Sequence, residues 1–358
     1  MVPVSSSRKA ARSRAAWSFE LKIAYVPSSR RGWLTGVCSS ALVLALPLHA
    51  AQMAKRPRLR LAGPMATVSF PLMRLVDSGA LAGLAEQVEF VAWTNPDQLR
   101  ALVLGGEVDF VAAPSNVAAN LYNRGAPLRL LDVSVWGMLW LVSRNAHWKT
   151  LDQFKGQEIA MPFRADMPDI LFQLLARQQG LNPGRDFKLR YVASPLEAMQ
   201  LLITRRVDHA LLAEPAISMA LRKTQSFPVS VVAPQLYRSV NLQQEWARVF
   251  QRAPEIAQAG VAAVGALRQD AALLRQVRAA LAEAHAWCWA NPKACGEMAS
   301  RYAPMLQADA VADSLLATPA VWRSARDARP ELEFFFGHLM QHQPAVIGGK
   351  LPDAGFYF

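Results

Sequence analysis

Four stretches of this 358-residue chain place polar side chains just past the end of a short apolar run. In residues 99–116 (L-R-A-L-V-L-G-G-E-V-D-F-V-A-A-P-S-N), Ser115 and Asn116 follow the run Val108–Ala113, and either can cap the helix expected over Val117–Tyr122. Thr67 and Ser69 follow Leu59–Ala62, Arg164 and Asp166 follow Glu158–Met161, and Glu214 follows His209–Ala213. Hydroxyls, an amide and free helix N–H groups suit an oxyanion. The planar fork of Arg164 can grip one. The carboxylates Asp166 and Glu214 can accept from an amine or a ring N–H. Each also has a plainer use: Asp166 as a helix cap, Glu214 as the partner of an arginine. Trp136 can wall a cleft or fill a core. No Ser-His-Asp set is evident and the six histidines are dispersed, so no catalytic residue and no metal ligand is assigned. Cys288 and Cys295 flank Asn291-Pro292 and can form a disulfide in an oxidising compartment.

The elements that must hold these residues come as strand, polar turn, helix. Apolar residues at near-helical spacing lead to Gly105-Gly106, which ends a helix, and the run Val108–Ala113 reads as a strand covered on both faces. The pattern returns at Ala198–Thr204, Val207-Asp208 and His209–Ala213, with Glu214-Pro215 at the strand end. Two like units in one chain predict two α/β lobes facing across a cleft, with ligand groups at the carboxyl ends of the strands. Ser194 with Glu197 forms a capping box, so Glu197 is read as structural. Leu128–Arg144 fits two strands, or one strand crossing between lobes. Phe227–Ala233 is expected to be a strand carrying the chain back. Glu255–Leu267 and Gln269–Trp289 are expected to be helices, and residues 347–358 an irregular tail packed on the body. The resulting division is 1–51 as extension and signal peptide, 55–140 as the first part of lobe 1, and 141–227 as lobe 2. Residues 228–358 return to lobe 1 with a helical C-terminal segment and tail.

A 52% hydrophobic composition supports a packed core, and the length allows two domains. The net charge of +12 is partly local, because residues 1–51 hold seven Lys or Arg and one acid. The other bases are scattered, so no nucleic-acid partner is expected. Ser29-Arg30-Arg31-Gly32-Trp33-Leu34-Thr35 precedes the apolar stretch Gly36–Leu48 and the exit His49-Ala50-Ala51. This order describes a secretory signal peptide, by a twin-arginine-like or a general route, cleaved after Ala50 or Ala51.

Taken in order, G-x-V-D-h-x-x-A-P-S-x (Gly106–Asn116), Val207-Asp208 with x-x-E-P-A to Ala216, and the tail K-L-P-D-x-x-F-Y (Lys350–Tyr357) carry a resemblance. Over roughly residues 57–358, the chain resembles the substrate-binding proteins of ABC importers in the nitrate/sulfonate/taurine/bicarbonate group, which includes binders of thiamine pyrimidine precursors. The resemblance implies a type II periplasmic-binding-protein-like α/β fold, with two lobes, a hinge, a central cleft and a helical C-terminal segment. It carries ligand contact to Thr67, Ser115, Asn116, Arg164, Asp166 and Glu214. The expected function is a periplasmic receptor for a small polar or anionic organic solute, sulfonate- or taurine-like. It would deliver the solute to a permease at the inner membrane as a monomer, with no cofactor and no enzymatic activity. The alternatives are an enzyme or binding protein for a pyrimidine on the same fold, and an exported ligand-free scaffold or sensor.

Overall fold

The computed structural model describes residues 55–358 except Pro234; the expected signal peptide lies outside the described residues. The chain opens with β1 (Arg56–Pro64), a short 3-10 turn at Thr67–Ser69 and α1 (Phe70–Asp77). Next come β2 (Ala85–Trp93) and α2 (Pro96–Leu104), whose first turn is capped by Asn95 accepting from Gln98 N at 2.9 Å. Gly106, at φ +64°, supplies the left-handed residue that lets the chain reverse into β3 (Phe110–Pro114). α3 (Ser115–Asn123), β4 (Leu128–Leu130) and β5 (Asp132–Val133) complete this half.

The second half runs β6 (Leu139–Ser143), β7 (Glu158–Pro162), α4 (Met167–Gln178), α5 (Pro183–Asp186), β8 (Lys188–Val192), α6 (Pro195–Ile203) and β9 (His209–Ala213). It continues through α7 (Ala216–Gln225), α8 (Val229–Val232), β10 (Tyr237–Asn241) and α9 (Leu242–Phe250). β11 (Ala259–Val264) then rejoins the first sheet.

Two five-stranded sheets result, in the orders β2-β1-β3-β11-β4 and β8-β7-β9-β6-β10. They share one plan. Three parallel strands are followed by two that pair antiparallel, and Leu61 lies opposite Phe110 in one sheet as Ile159 lies opposite His209 in the other. The recurring helix–strand pattern read from the sequence therefore corresponds to two sheets of like construction. The antiparallel strand beside β3 is supplied by the later β11, and the one beside β9 by the earlier β6. The chain consequently passes between the sheets twice, at residues 134–138 and 251–258. The passages touch: Ile256 N donates to Trp136 O at 2.9 Å and Gln258 N to Val135 O at 3.0 Å.

Beside this junction Asp132 is buried. Its Oδ1 accepts from Val261 N at 3.1 Å, and burial pushes its carboxyl up to about 7. Gly260 is required here, because a Cβ would stand 1.9 Å from Asp132 O.

The C-terminal segment comprises α10 (Ala271–Ala290), α11 (Pro292–Tyr302), α12 (Ala308–Ala317), β12 (Arg323–Ser324) and α13 (Arg329–His342). α10 and α11 pack on α1, α12 packs on α7, and α13 packs on α4. Arg222 of α7 donates Nη2 to Asp313 Oδ1 at 3.0 Å and Nη1 to Asp309 Oδ2 at 3.2 Å. These helices thus touch both sheet-bearing halves. The tail lies along the edge of the first sheet, where Phe358 N donates to Leu130 O at 2.9 Å. Among the described residues, no helix is long and apolar enough to cross a membrane.

Two expected elements differ. Phe227–Ala233 is not a strand but a proline turn followed by α8, with Phe227 and Val231 exposed; Pro228 has no N–H to give a ladder. Within Glu255–Leu267, the segment Ala259–Val264 is a strand rather than a helix. Its alanines favour a helix locally, but every residue of β11 is buried between β3 and β4, and tertiary packing overrides propensity. Leu128–Arg144 yields three short strands, and Ser194 accepts from Glu197 N at 3.1 Å as its capping role requires.

Candidate ligand site

The carboxyl ends of β1, β3, β7 and β9 face one another across a cavity of about 360 Å³, near the lower end of the roughly 300–1,000 Å³ usual for ligand pockets. Its walls are mainly apolar. Met65, Met138, Met167 and Met305, four of the chain's twelve methionines, line it with Trp93 and Phe163. Phe163 holds a left-handed backbone, φ +57°, an uncommon conformation for a bulky residue and one that occurs at ligand clamps. Prolines stand at the helix starts around the cavity, Pro96 on α2, Pro168 on α4 and Pro195 on α6. The polar residues of the lining are few: Thr94, Asp166, Ser194, Glu214 and Gln258. Among the described lining residues none is Lys, Arg or His.

Of the eight residues singled out from sequence, Asp166 and Glu214 line this cavity. Asp166, 4% exposed, caps α4 by accepting from Met167 N at 2.8 Å. Its other oxygen accepts from Arg100 Nη2 at 3.5 Å, and the Asn116 side-chain amide also reaches it. Burial pushes the Asp166 carboxyl up, against those three hydrogen-bonding neighbours. Glu214 is fully buried. Its Oε2 accepts from Ser218 N at 3.1 Å and Ser218 Oγ at 2.8 Å, and its Oε1 pairs with Arg238 of β10. The arginine partner belongs to the same sheet as Glu214, so the pair is internal to that half.

The other six lie outside the lining. Thr67 Oγ1 donates to Glu214 O at 3.5 Å and so ties the first half to the second. Ser69 Oγ donates to Pro64 O, within its own turn. Ser115 does not cap α3; it is the first residue of the helix, the cap position is Pro114, and Ser115 Oγ donates to Ala257 O at 2.6 Å. Asn116 is likewise inside the helix rather than at its cap, and its Oδ1 is buried without a partner. Trp136 is 1% exposed, donates Nε1 to Val133 O at 3.0 Å and carries the Arg323 guanidinium 4.2 Å over its ring. It is a core side chain. Arg164 is exposed, with its guanidinium 5.0 Å from the Tyr191 ring centroid. Cys288 and Cys295 are free thiols, both buried; a hydrogen bond between them, and then burial, raise the Cys288 thiol well above its ordinary range. Among the described residues, no group of three His, Cys, Asp or Glu could hold a metal ion.

The residue that sequence reasoning missed is Gln258, 1% exposed and lining the cavity. Its Oε1 accepts from Met138 N at 2.9 Å, which fixes the orientation of the amide, and its Nε2 is buried with no partner. It falls in a stretch read as helix, where nothing marks it as the last residue of a passage between sheets.

The fold with this arrangement occurs in solved proteins. The chain is similar to an ABC transporter protein from Parabacteroides distasonis (22% identity, 84% of this chain and 99% of that one, TM-score 0.68). It is similar to the periplasmic aliphatic sulphonate binding protein SsuA from Escherichia coli (16% identity, 84% and 93% covered, TM-score 0.62). It is also similar to the periplasmic nitrate-binding protein NrtA from Synechocystis PCC 6803 (14% identity, 81% and 84% covered, TM-score 0.63). At such identities these likenesses show the fold alone. No curated protein matches the chain in sequence. Residues 82–287, more than half of the chain, match the family described as phosphonate ABC transporter, periplasmic substrate-binding protein, and the chain belongs to that family of ABC-type periplasmic substrate-binding proteins.

Proposed function

We propose that this chain is the solute receptor of an ABC importer, which traps a small organic molecule between its two α/β lobes and presents it to a permease. The observation that carries this reading is the cavity itself. It lies where four parallel strand ends converge, and side chains from one half reach the other across it, Arg100 to Asp166 and Thr67 to the Glu214 carbonyl. Such a site holds a guest by enclosure and by a few placed polar groups. A cleft of this size between the two halves speaks for the receptor over a ligand-free scaffold.

Gln258, Asp166, Glu214 and the apolar walls are the ligand-facing residues in this reading, and the two passages between the sheets are its hinge. In this reading the lobes part at the two passages, at residues 134–138 and 251–258. A sulfonate- or taurine-like solute is less well served. Arg164 is turned onto Tyr191 and the Ser115 hydroxyl is spent on Ala257 O, so neither offers an anion its donor at the cavity. Export with loss of residues 1–51, action as a monomer and absence of catalysis complete the proposal. The buried thiols Cys288 and Cys295 would then sit in a compartment able to bridge them.

The test is a thermal-shift panel of neutral, cationic and anionic small molecules on the purified chain. A ligand at a hundred times its dissociation constant stabilises by about 2.7 kcal/mol. A measurable rise in melting temperature with at least one member is expected. A panel without any shift overturns the receptor reading.

A further inference from the structure

The cavity carries information about the class of its ligand, and the inference rests on the receptor reading above. An oxyanion site in an α/β fold is built from free helix N–H groups and uncommitted cations. Here part of the first resource and the nearest cations are already taken by the protein itself. At the start of α4 the Met167 N–H is taken by Asp166, and at α7 the Ser218 N–H is taken by Glu214. Each of these two helix starts therefore already faces a carboxylate of the protein itself. At α6 the Glu197 N–H is taken by Ser194, and at α2 the Gln98 N–H is taken by Asn95. Pro96 and Pro195 remove a further N–H each. The cations nearest the two carboxylates are their own partners, Arg238 on Glu214 and Arg100 on Asp166, the latter shared with Asp97. An anion entering this space would lose its water, meet two carboxylates and find no unpaired cation in the lining.

What the cavity does offer is apolar contact and one spare donor. The methionine side chains are unbranched and polarizable, suited to flat or irregular apolar guests. The Gln258 Nε2 lies buried without a partner while the rest of that side chain is fixed by Met138 N. A buried donor without a partner costs about 1–3 kcal/mol, and a ligand acceptor would remove that cost.

We infer that the ligand of this cavity is a neutral, predominantly apolar molecule bearing a hydrogen-bond acceptor, a carbonyl or a ring nitrogen, for Gln258 Nε2, and that small oxyanions are excluded. Asp166 and Glu214 serve as the protein's own anions, which close the helix starts against a competing one.

The probe is prodan, a neutral naphthalene ketone whose emission moves to the blue in an apolar site, added to the full-length protein at pH 7.5. Saturable blue-shifted binding is expected, undiminished by millimolar methanesulfonate, methylphosphonate or nitrate. Q258E keeps the acceptor for Met138 N and deletes the donor. It should weaken prodan about tenfold or more. It should weaken N-phenylnaphthylamine, which has no carbonyl, by much less. A66W, which puts an indole into the cavity, should abolish both, and melting curves on each variant confirm that it folds. If one of the three anions binds and prodan does not, the receptor reading stands and the assignment of ligand class is overturned. If Q258E leaves prodan binding unchanged, the role of Gln258 is overturned. If neither prodan nor any anion alters emission or melting temperature, the receptor reading falls and the inference with it.

Discussion

Asp132 provides a test of how the junction between the halves is held. The carboxyl is buried beside the passage from β5 into the second sheet, accepts from Val261 N, and faces Arg278 only at a distance. Burial dominates and raises its pKa from 3.8 to about 7. A rise of that size corresponds to about 4 kcal/mol of differential interaction between the two protonation states. The sign follows from proton counting. Between pH 4 and 7 the folded chain holds a proton at Asp132 that the unfolded chain has released, so stability falls as pH rises. The full contribution is present below about pH 4 and is lost as pH climbs through about 7. Asp132→Asn keeps an acceptor for Val261 N and cannot ionise. Urea unfolding of both proteins at half-unit steps from pH 4 to 8 isolates the residue, because every other titrating group is shared and cancels in the difference. The wild-type protein should lose about 4 kcal/mol relative to Asp132→Asn across that interval, most of it between pH 5 and 7. A difference that is flat with pH, or one that grows in favour of the wild type as pH rises, would refute the reasoning.

Other outcomes follow from the same geometry. Arg238→Met strands the buried Glu214 carboxylate and should cost about 3–5 kcal/mol in urea unfolding, with much of the loss recovered in the double variant that adds Glu214→Gln. Trp136→Ala should cost a similar about 3–5 kcal/mol in stability, yet leave prodan affinity within about twofold, since the indole belongs to the core and not to the cavity. Gly260→Ala drives a Cβ against Asp132 O and should lower stability by about 1–3 kcal/mol or more, read as a drop in melting temperature. Ser115→Ala removes a buried bond to Ala257 O and should cost about 1 kcal/mol without changing ligand affinity.

Much of the fold was legible in local pattern. Val108–Ala113 and His209–Ala213 are short apolar runs with polar turns after them, and in both the buried strand and the helix that follows stand where periodicity put them. Local chemistry also set the caps at Ser194 and Asp166, because a cap joins residues a few positions apart. The site was less legible. Strand ends told which turns face the cleft, and that located Asp166 and Glu214, but a turn of several residues does not disclose which side chain points inward. Arg164 turns to Tyr191, and Ser115 turns to Ala257, 142 residues further along the chain.

The order of apolar runs, glycine stops and proline starts by itself determined that the chain builds strand–turn–helix units twice over, since those signals act over a few residues and need no partner. Only the tertiary structure decided that the alanine-rich stretch Ala259–Val264 is the strand completing the first sheet, that Gln258 ends beside the cavity with an amide to spare, and that the two acids of the cleft answer helix starts and arginines of this chain. Those outcomes depend on which distant segments meet, and burial between them outweighs the helical preference of alanine and the tendency of a carboxylate to stay in water.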